Sequence, residues 1–513
     1  MTNTLQTQHR YFGFAMTITA LFVCIHVVST PALSWPFSGQ KSKQKEEVLP
    51  VHQNQMVLPG NISIWSESST EKSQSVGMTL APVFPDKQWW EQFNDPYLNQ
   101  YIVEAFEHNR SLQQAVQRVE EARALARESF GKEFPAFTFA PTFNRQKNSK
   151  TLTTPNTSQF TGTGVRFFAP GQTVNIYNIP INASYEADVF LRNRLRTKGD
   201  RLTAGATEWD KKGVMASLGA DVATAYFNLI QADALITRSK EEIALITLQK
   251  DLLLSRYASG LSAYSDVLQK NQEIETAQSL LTGYQKNQAL AAHQLAYLLG
   301  RTQFEAPSFQ RTSLEEITLP ITVQSGIPSE LLTHRPDILA AETRMKKMKL
   351  DVSIARRAFL PTFNITGQVG LASTRLSKFS SIDSLLASVG TSMSETIFNG
   401  GIRQAELKYR KALYKENLLA YHDVIVKGLK EVEDSLTGLQ ENRQSYLQTQ
   451  GVERDAQEQT ALFESRYQTG LLSYPDFLQQ KRQWLTAQKQ NSTNKTACLV
   501  DMLSVYKALG GGW

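Results

Sequence analysis

The chain has 513 residues, a formal net charge of +6, 41% hydrophobic residues and a mean hydropathy of −0.32. That hydropathy excludes a bundle of membrane-spanning helices but leaves open a β-barrel, whose strands are only half apolar. The Lys and Arg residues are scattered, which excludes the clustered phosphate-binding patch of a nucleic-acid partner, and no Gly/Ser/Pro-rich linker cuts the central chain into separate pieces.

Residues 1–34 read as a signal peptide. Arg10 is the basic flank, Tyr11 to Val28 is a mostly apolar run, and Ala32-Leu33-Ser34 offers small residues at the −3 and −1 positions of a cleavage site. The mature chain then starts near Trp35, with a retained membrane-spanning helix as the second reading. Leu21-Phe22-Val23-Cys24 has the outline of a lipoprotein signal. Bulky Val23 stands where a small residue is expected, however, and apolar residues continue past Cys24, so lipidation of Cys24 ranks behind plain cleavage. Cleavage leaves Cys498 as the one thiol, which rules out an intramolecular disulfide and marks it as a buried packing residue. Residues 35–85 are polar, rich in Ser, Gln and Lys, and read as an extended segment.

The rest of the chain is a duplication, with a first repeat over 86–310 and a second over 311–513. Residues 255–300 align with 465–510 without a gap: S-R-Y-A-S-G-L-S-A-Y-S-D-V-L-Q in one copy, S-R-Y-Q-T-G-L-L-S-Y-P-D-F-L-Q in the other. Upstream, Phe134-Pro135-Ala136-Phe137 echoes Leu360-Pro361-Thr362-Phe363, and His108 echoes His334. Each half is expected to run helix, strands, long helix, turn, helix.

Four segments alternate with period 2, as strands with one apolar and one polar face do. Ile179 to Val189 is the clearest, followed by Phe363 to Leu371 and Ala387 to Ser394; Phe137, Phe139 and Phe143 mark the weakest. Alone, such strands favour a soluble sandwich. The export signal and the long helices favour instead an outer-membrane sheet whose polar face lines a water-filled lumen. Four strands are too few to close a wide barrel, and an open edge cannot sit in lipid, so closure needs several copies of the chain.

From Arg196 to Ala258 there is no Pro, and Leu218, Val222, Ala225, Leu229, Ala232, Ile236, Ile243, Ile246, Leu253 and Tyr257 keep a coiled-coil spacing. About 60 helical residues span roughly 90 Å. Ile402 to Thr469 repeats the pattern. Gly260 and Gly470 end these helices as C-terminal glycine caps do. An aromatic and an acid follow each glycine: Tyr264 and Asp266, then Tyr474 and Asp476. In a symmetric oligomer these acids form rings of negative charge; the alternative, that each Asp only caps the next helix, stays open.

The pattern resembles the TolC-like outer-membrane efflux family, and more closely the subfamily serving resistance-nodulation-division pumps. The matching residues are W-W-E-Q-F-N-D-P-Y-L from Trp89, L-L-T-H-R-P-D-I from Leu331, F-N-G-G-I-R from Phe398, the two R-Y-x-x-G turns, and Y-K-A-L-G-G-G-W from Tyr506. The resemblance implies an α+β fold: an outer-membrane β-barrel formed by a homotrimer with four strands per chain, twelve in all, continuing into a long α-helical periplasmic barrel. It implies a passive exit duct of a tripartite efflux system, working with a periplasmic adaptor and an inner-membrane pump. It also implies a periplasmic gate near Tyr467, Tyr474, Asp476 and Asp266, with adaptor docking at the Gly260 and Gly470 tips. Gln479 stands where the family often carries a second acid, which puts cation binding at such a ring in question. The exit duct of a type I protein-secretion system and a periplasmic coiled-coil scaffold are the rival readings. Neither a catalytic constellation, a Cys cluster for metal nor a phosphate loop is legible, so no enzyme activity or cofactor is expected.

Overall fold

The computed structural model describes residues 88–511 other than 148, 152–170, 303 and 320–333, so the signal peptide, the 35–85 segment and Cys24 lie outside the described residues. Helices α1 (Pro96–His108) and α2 (Arg110–Gly131) lead into strands β1 (Ala136–Phe139), β2 (Thr142–Lys147) and β3 (Thr173–Ala187), then α3 (Arg192–Ala258) and α4 (Tyr264–Leu298). There follow α5 (Pro336–Arg357), β4 (Thr362–Ser373), β5 (Leu385–Ser394), α6 (Ile402–Gln468) and α7 (Tyr474–Ala508). The lengths match between halves: α2 and α5 have 22 residues, α3 and α6 have 67, α4 and α7 have 35. At 1.5 Å per residue the long helices reach roughly 100 Å.

The sheet is antiparallel throughout, in the order β1–β3–β4–β5 with β2 also on β3. It has five strands where four were expected, and the reason is Pro180 of β3. The strands β1 and β2 keep one register against β3, Phe139 facing Ile181 and Thr142 facing Asn178. Ala140 N–H donates to the Pro180 carbonyl at 3.4 Å, but Pro180 has no N–H to give back to Ala140, so the ladder is interrupted there. The pairings put Phe139, Ile181 and Val369 on one face, and Phe363 and Met393 with them. Asn182, Gln368 and Ser388 share the other. Val389, on the apolar face, is 84% exposed, so none of the described residues covers that band there. All strand–helix junctions fall along one sheet edge, where Ala136 faces Ser184, Phe363 faces Ala187 and Thr362 faces Ser394.

Both long helices leave that edge through a left-handed residue, Leu191 (φ +58°) before α3 and Gly401 (φ +84°) before α6. An ion pair spans each turn: Glu186 with Arg192 at 2.5 Å, Glu395 with Arg403 at 2.7 Å. Below the sheet α2 packs on α3, α3 on α5 and α5 on α6, while α4 folds back along α3 and α7 along α6. Helix α3 also touches α7. It is the one described helix long and apolar enough to cross a membrane, yet most of that stretch is buried among its neighbours and serves as core. Helix α6 differs: Ile425, Gly428, Val432 and Thr460 are its buried residues. On its opposite side Ile402, Tyr409, Leu419, Val426 and Leu447 are exposed at heptad spacing.

The main core lies midway along α3, where Leu218, Val222, Tyr226, Phe227 and Leu229 are buried against α1, the end of α4, the end of α7 and the 306–317 segment. Distant sequence motifs meet here. Trp89 stacks on Tyr506 with ring centroids 5.1 Å apart. Asp95 caps α1 by accepting from the Tyr97 and Leu98 N–H groups, and the Tyr226 hydroxyl donates to it at 2.6 Å. In the second half Arg335 is buried and donates to the Ala508 carbonyl at 2.8 Å and to Glu431 at 2.7 Å. Asn109 does the matching work in the first half, donating to the Leu298 carbonyl at 2.8 Å. Gly300 and Gly510 must be glycine for two reasons: each has a positive φ, and a Cβ would press on His108 or Arg335 respectively.

Candidate functional site at the hairpin tips

Each hairpin turns within a few residues. Gly260 (φ +73°) and Gly470 (φ +76°) occupy the left-handed position that closes a helix. In the first tip Leu261 N–H donates to Arg256 and Gly260 N–H to Tyr257; in the second Leu471 N–H donates to Arg466 and Gly470 N–H to Tyr467. The expected glycine caps are therefore present at both turns.

The aromatic residues of each turn lie together, and the second turn holds one more. Tyr467 and Tyr474 lie 4.9 Å apart between ring centroids, and Phe477 stacks on Tyr467 at 5.8 Å. The first tip has a simpler pair, Tyr257 and Tyr264 at 5.3 Å. Phe477 is legible only on alignment of the repeats, where it replaces Val267.

The two acids differ in their surroundings. Ser473 is the N-cap of α7; its hydroxyl accepts from the Asp476 N–H and donates to the Asp476 carboxylate at 2.6 Å, a reciprocal cap. Ala263 holds the N-cap position of α4 and has no side-chain group to hydrogen-bond, so among the described residues the Asp266 carboxylate accepts only from the Ser265 hydroxyl, at 3.3 Å. Asp476 is thus tied into its helix start and Asp266 is held weakly. Among the described residues no hydrogen bond or ion pair joins one tip to the other.

The hairpins are joined farther along. Arg482 of α7 meets Glu273 of α4 at 2.8 Å and Glu242 of α3 at 3.7 Å. Lys489 meets Glu242 at 2.5 Å, and Lys270 meets Glu273 at 2.9 Å. These side chains are only 14–26% exposed, so the network is screened less than a surface pair. Sequence reasoning missed it. The signal was in the repeats, where Gln272-Glu273 aligns with Arg482-Gln483 and so exchanges a charge between copies. Nearer the core, buried Lys495 donates to the Leu314 carbonyl at 2.7 Å, and burial lowers its pKa. Burial pushes the Cys498 thiol up to about 11 and the Tyr506 hydroxyl up to about 12. Among the described residues no cluster of three or more His, Cys, Asp or Glu side chains is placed to hold a metal ion.

The sequence profile of the outer membrane efflux protein family matches residues 101–301 and 327–511. The chain is 30% identical over 441 residues to the probable efflux pump outer membrane protein TtgC of Pseudomonas putida, covering 84% of this chain and 87% of that protein. It is 26% identical over 453 residues to the outer membrane protein OprJ of Pseudomonas aeruginosa, covering 88% and 90%. Among solved structures, the CmeC outer membrane channel of Campylobacter jejuni superposes with a TM-score of 0.75 at 21% identity, covering 86% of this chain and 91% of that one. The VceC outer membrane protein of Vibrio cholerae gives 0.71 at 24%, covering 84% and 100%. Two long hairpins below an antiparallel sheet with a bare apolar face, together with these matches, make the chain a member of the outer membrane efflux protein family, the outer-membrane channel component of an efflux pump.

Proposed function

We propose that three copies close into one duct, and that the hairpin tips form its periplasmic gate. The observation that carries this reading is that the sheet and the helical layer are both left open at matching edges. Strands β1 and β2 form one lane, so each copy offers four lanes with free edges at β1/β2 and β5. The helical layer runs α2, α3, α5, α6, with Leu125 exposed on α2 and the heptad stripe exposed on α6. A ring that joins the β5 and α6 edges of one copy to the β1 and α2 edges of the next satisfies the strand ladder and covers Leu125 and the α6 stripe. Three is the number that the family resemblance implies, which gives twelve lanes around a polar lumen. Residues 86–310 and 311–513 then act as paired repeats, each supplying one hairpin.

In such a trimer the Asp266 and Asp476 carboxylates sit near the narrow end with Tyr467 and Tyr474, while the Gly260 and Gly470 turns present exposed Leu261 and Leu471 to a periplasmic adaptor bound to an inner-membrane pump. The duct is passive; opening spreads the second hairpin away from the first, against the Arg482–Glu273 and Lys489–Glu242 pairs. The test is block of single-channel current by a multivalent cation. Replacing both Asp266 and Asp476 with Ala is expected to weaken block at least tenfold, with Asp266→Ala giving the larger share because that carboxylate is less engaged. Unchanged block in the double variant would remove these acids from the gate.

A further inference from the structure

The apolar face of the sheet ends at the junction edge, and the surface just below it is aromatic and cationic. Phe134 and Phe130 are 56% and 42% exposed and meet edge to face at 5.1 Å. The Arg201 guanidinium lies 5.5 Å over the Phe130 ring. Arg201 is the last of three cations, with Arg194 and Lys198, spaced i, i+4, i+7 along one face of α3. Across the α2–α3 contact, Arg127 and Phe130 lie three residues apart on one face of the end of α2, and Phe134 follows just beyond that end.

These four cations are exposed, and none has an ion pair among the described residues. Of the nearby acids, Glu128 and Glu186 are paired with other cations, Asp188 and Asp200 accept from neutral donors, and Glu133 makes no ion pair among the described residues. Glu128 pairs with Lys132 at 2.8 Å, Asp200 accepts from the Ser129 hydroxyl at 2.5 Å, Glu186 holds Arg192, and Asp188 accepts from the Arg194 backbone N–H at 2.9 Å. The patch therefore presents four cations without ion pairs beside apolar rings, against the three carboxylates of Glu133, Asp188 and Asp200 that no cation pairs with among the described residues, and so keeps an excess of positive charge.

We propose that Arg127, Arg194, Lys198 and Arg201 hold the phosphodiester headgroup of an anionic phospholipid in the periplasmic leaflet, with its acyl chains along Phe130, Phe134 and the apolar strand face. The proposal rests on the sheet standing in the outer membrane with its apolar face to lipid. The chemistry follows from position: an aromatic surface belongs at the edge of the hydrocarbon, and free guanidinium and ammonium groups one helical turn farther out lie at headgroup depth. The patch fixes how deep the sheet sits and leaves the duct axis untouched.

The test uses the detergent-purified full chain with added phosphatidylglycerol or phosphatidylethanolamine, bound lipid being counted by native mass spectrometry. Wild-type protein is expected to retain phosphatidylglycerol preferentially. The R127Q/R194Q/K198Q/R201Q variant is expected to lose that preference, at about fivefold in affinity per charge removed, the equivalent of about 1 kcal/mol each. Lys240→Gln, farther along α3, is expected to leave it unchanged. Should the fourfold variant fail to assemble, the R194Q/K198Q pair serves, since neither side chain makes a recorded side-chain contact. Retention of phosphatidylglycerol by either charge variant at the wild-type level would overturn the proposal. So would equal retention of the two lipids by a wild-type protein that conducts ions, leaving the duct intact. A wild-type protein that does not conduct would overturn the duct, and the lipid site with it.

Discussion

Arg335 shows how one side chain can fasten the ends of a repeat. It is buried, and its guanidinium reaches the last turn of α7 through Ala508, the middle of α6 through Glu431, and Asp337 at the start of its own helix. Arg335→Met would keep the volume but leave the Ala508 carbonyl unpaired and remove the cation between two acids. The expected loss is about 3 kcal/mol of unfolding free energy, read from denaturant titration. Lysine would restore only part of it, because one ammonium cannot span three acceptors set at fork geometry. Cys498 gives a pH prediction. Its folded pKa is raised from 9.0 to about 11 by burial, so the protonated thiol stabilises the fold fully below pH 9. That contribution fades as pH rises through about 11, a change of roughly 2 kcal/mol. Thermal melting between pH 8 and 11 should fall more steeply for the wild type than for Cys498→Ala; parallel slopes would refute the assignment.

At the scale of elements, the duplicated order helix, strands, long helix, turn, helix was legible because periodicity changes sharply along the chain. The period-2 run at Ile179 gives way to a Pro-free heptad pattern that starts at Arg192, four residues before the position the sequence suggested. The glycine caps at 260 and 470 were legible because only glycine adopts that backbone without cost. What stayed hidden depends on neighbours. Pro180 on the facing strand splits a strand that alternation alone reads as whole, and the Arg482–Glu273–Glu242 network joins residues that no local pattern connects. The reciprocal cap at Asp476 and its absence at Asp266 turn on Ser473 against Ala263, a single difference between the repeats. The strand-to-helix turns hold a similar difference. Leu191 occupies a left-handed backbone position that Gly401 fills in the other half. Leu191→Gly is expected to raise the melting free energy by about 0.5 kcal/mol and Gly401→Ala to lower it by about 1 kcal/mol, both measured by circular dichroism in detergent.

At the scale of the whole molecule, the residues that carry the family resemblance are mostly not those that would touch cargo. Trp89, Asp95, Arg335 and Tyr506 fasten the middle of the helical region, where α3 is wrapped by the ends of the other elements. The proposed closed duct rests on surfaces that a single chain leaves open: the sheet edges and the α6 stripe. A lone chain cannot satisfy them, and this is why assembly is central to the account. The most direct test is the mass of the purified protein in detergent combined with its single-channel conductance in a planar bilayer. A trimer mass with discrete conductance steps is the predicted result. A monomer, or a trimer that never conducts even after Glu242→Gln and Glu273→Gln loosen the link between the hairpins, would contradict it.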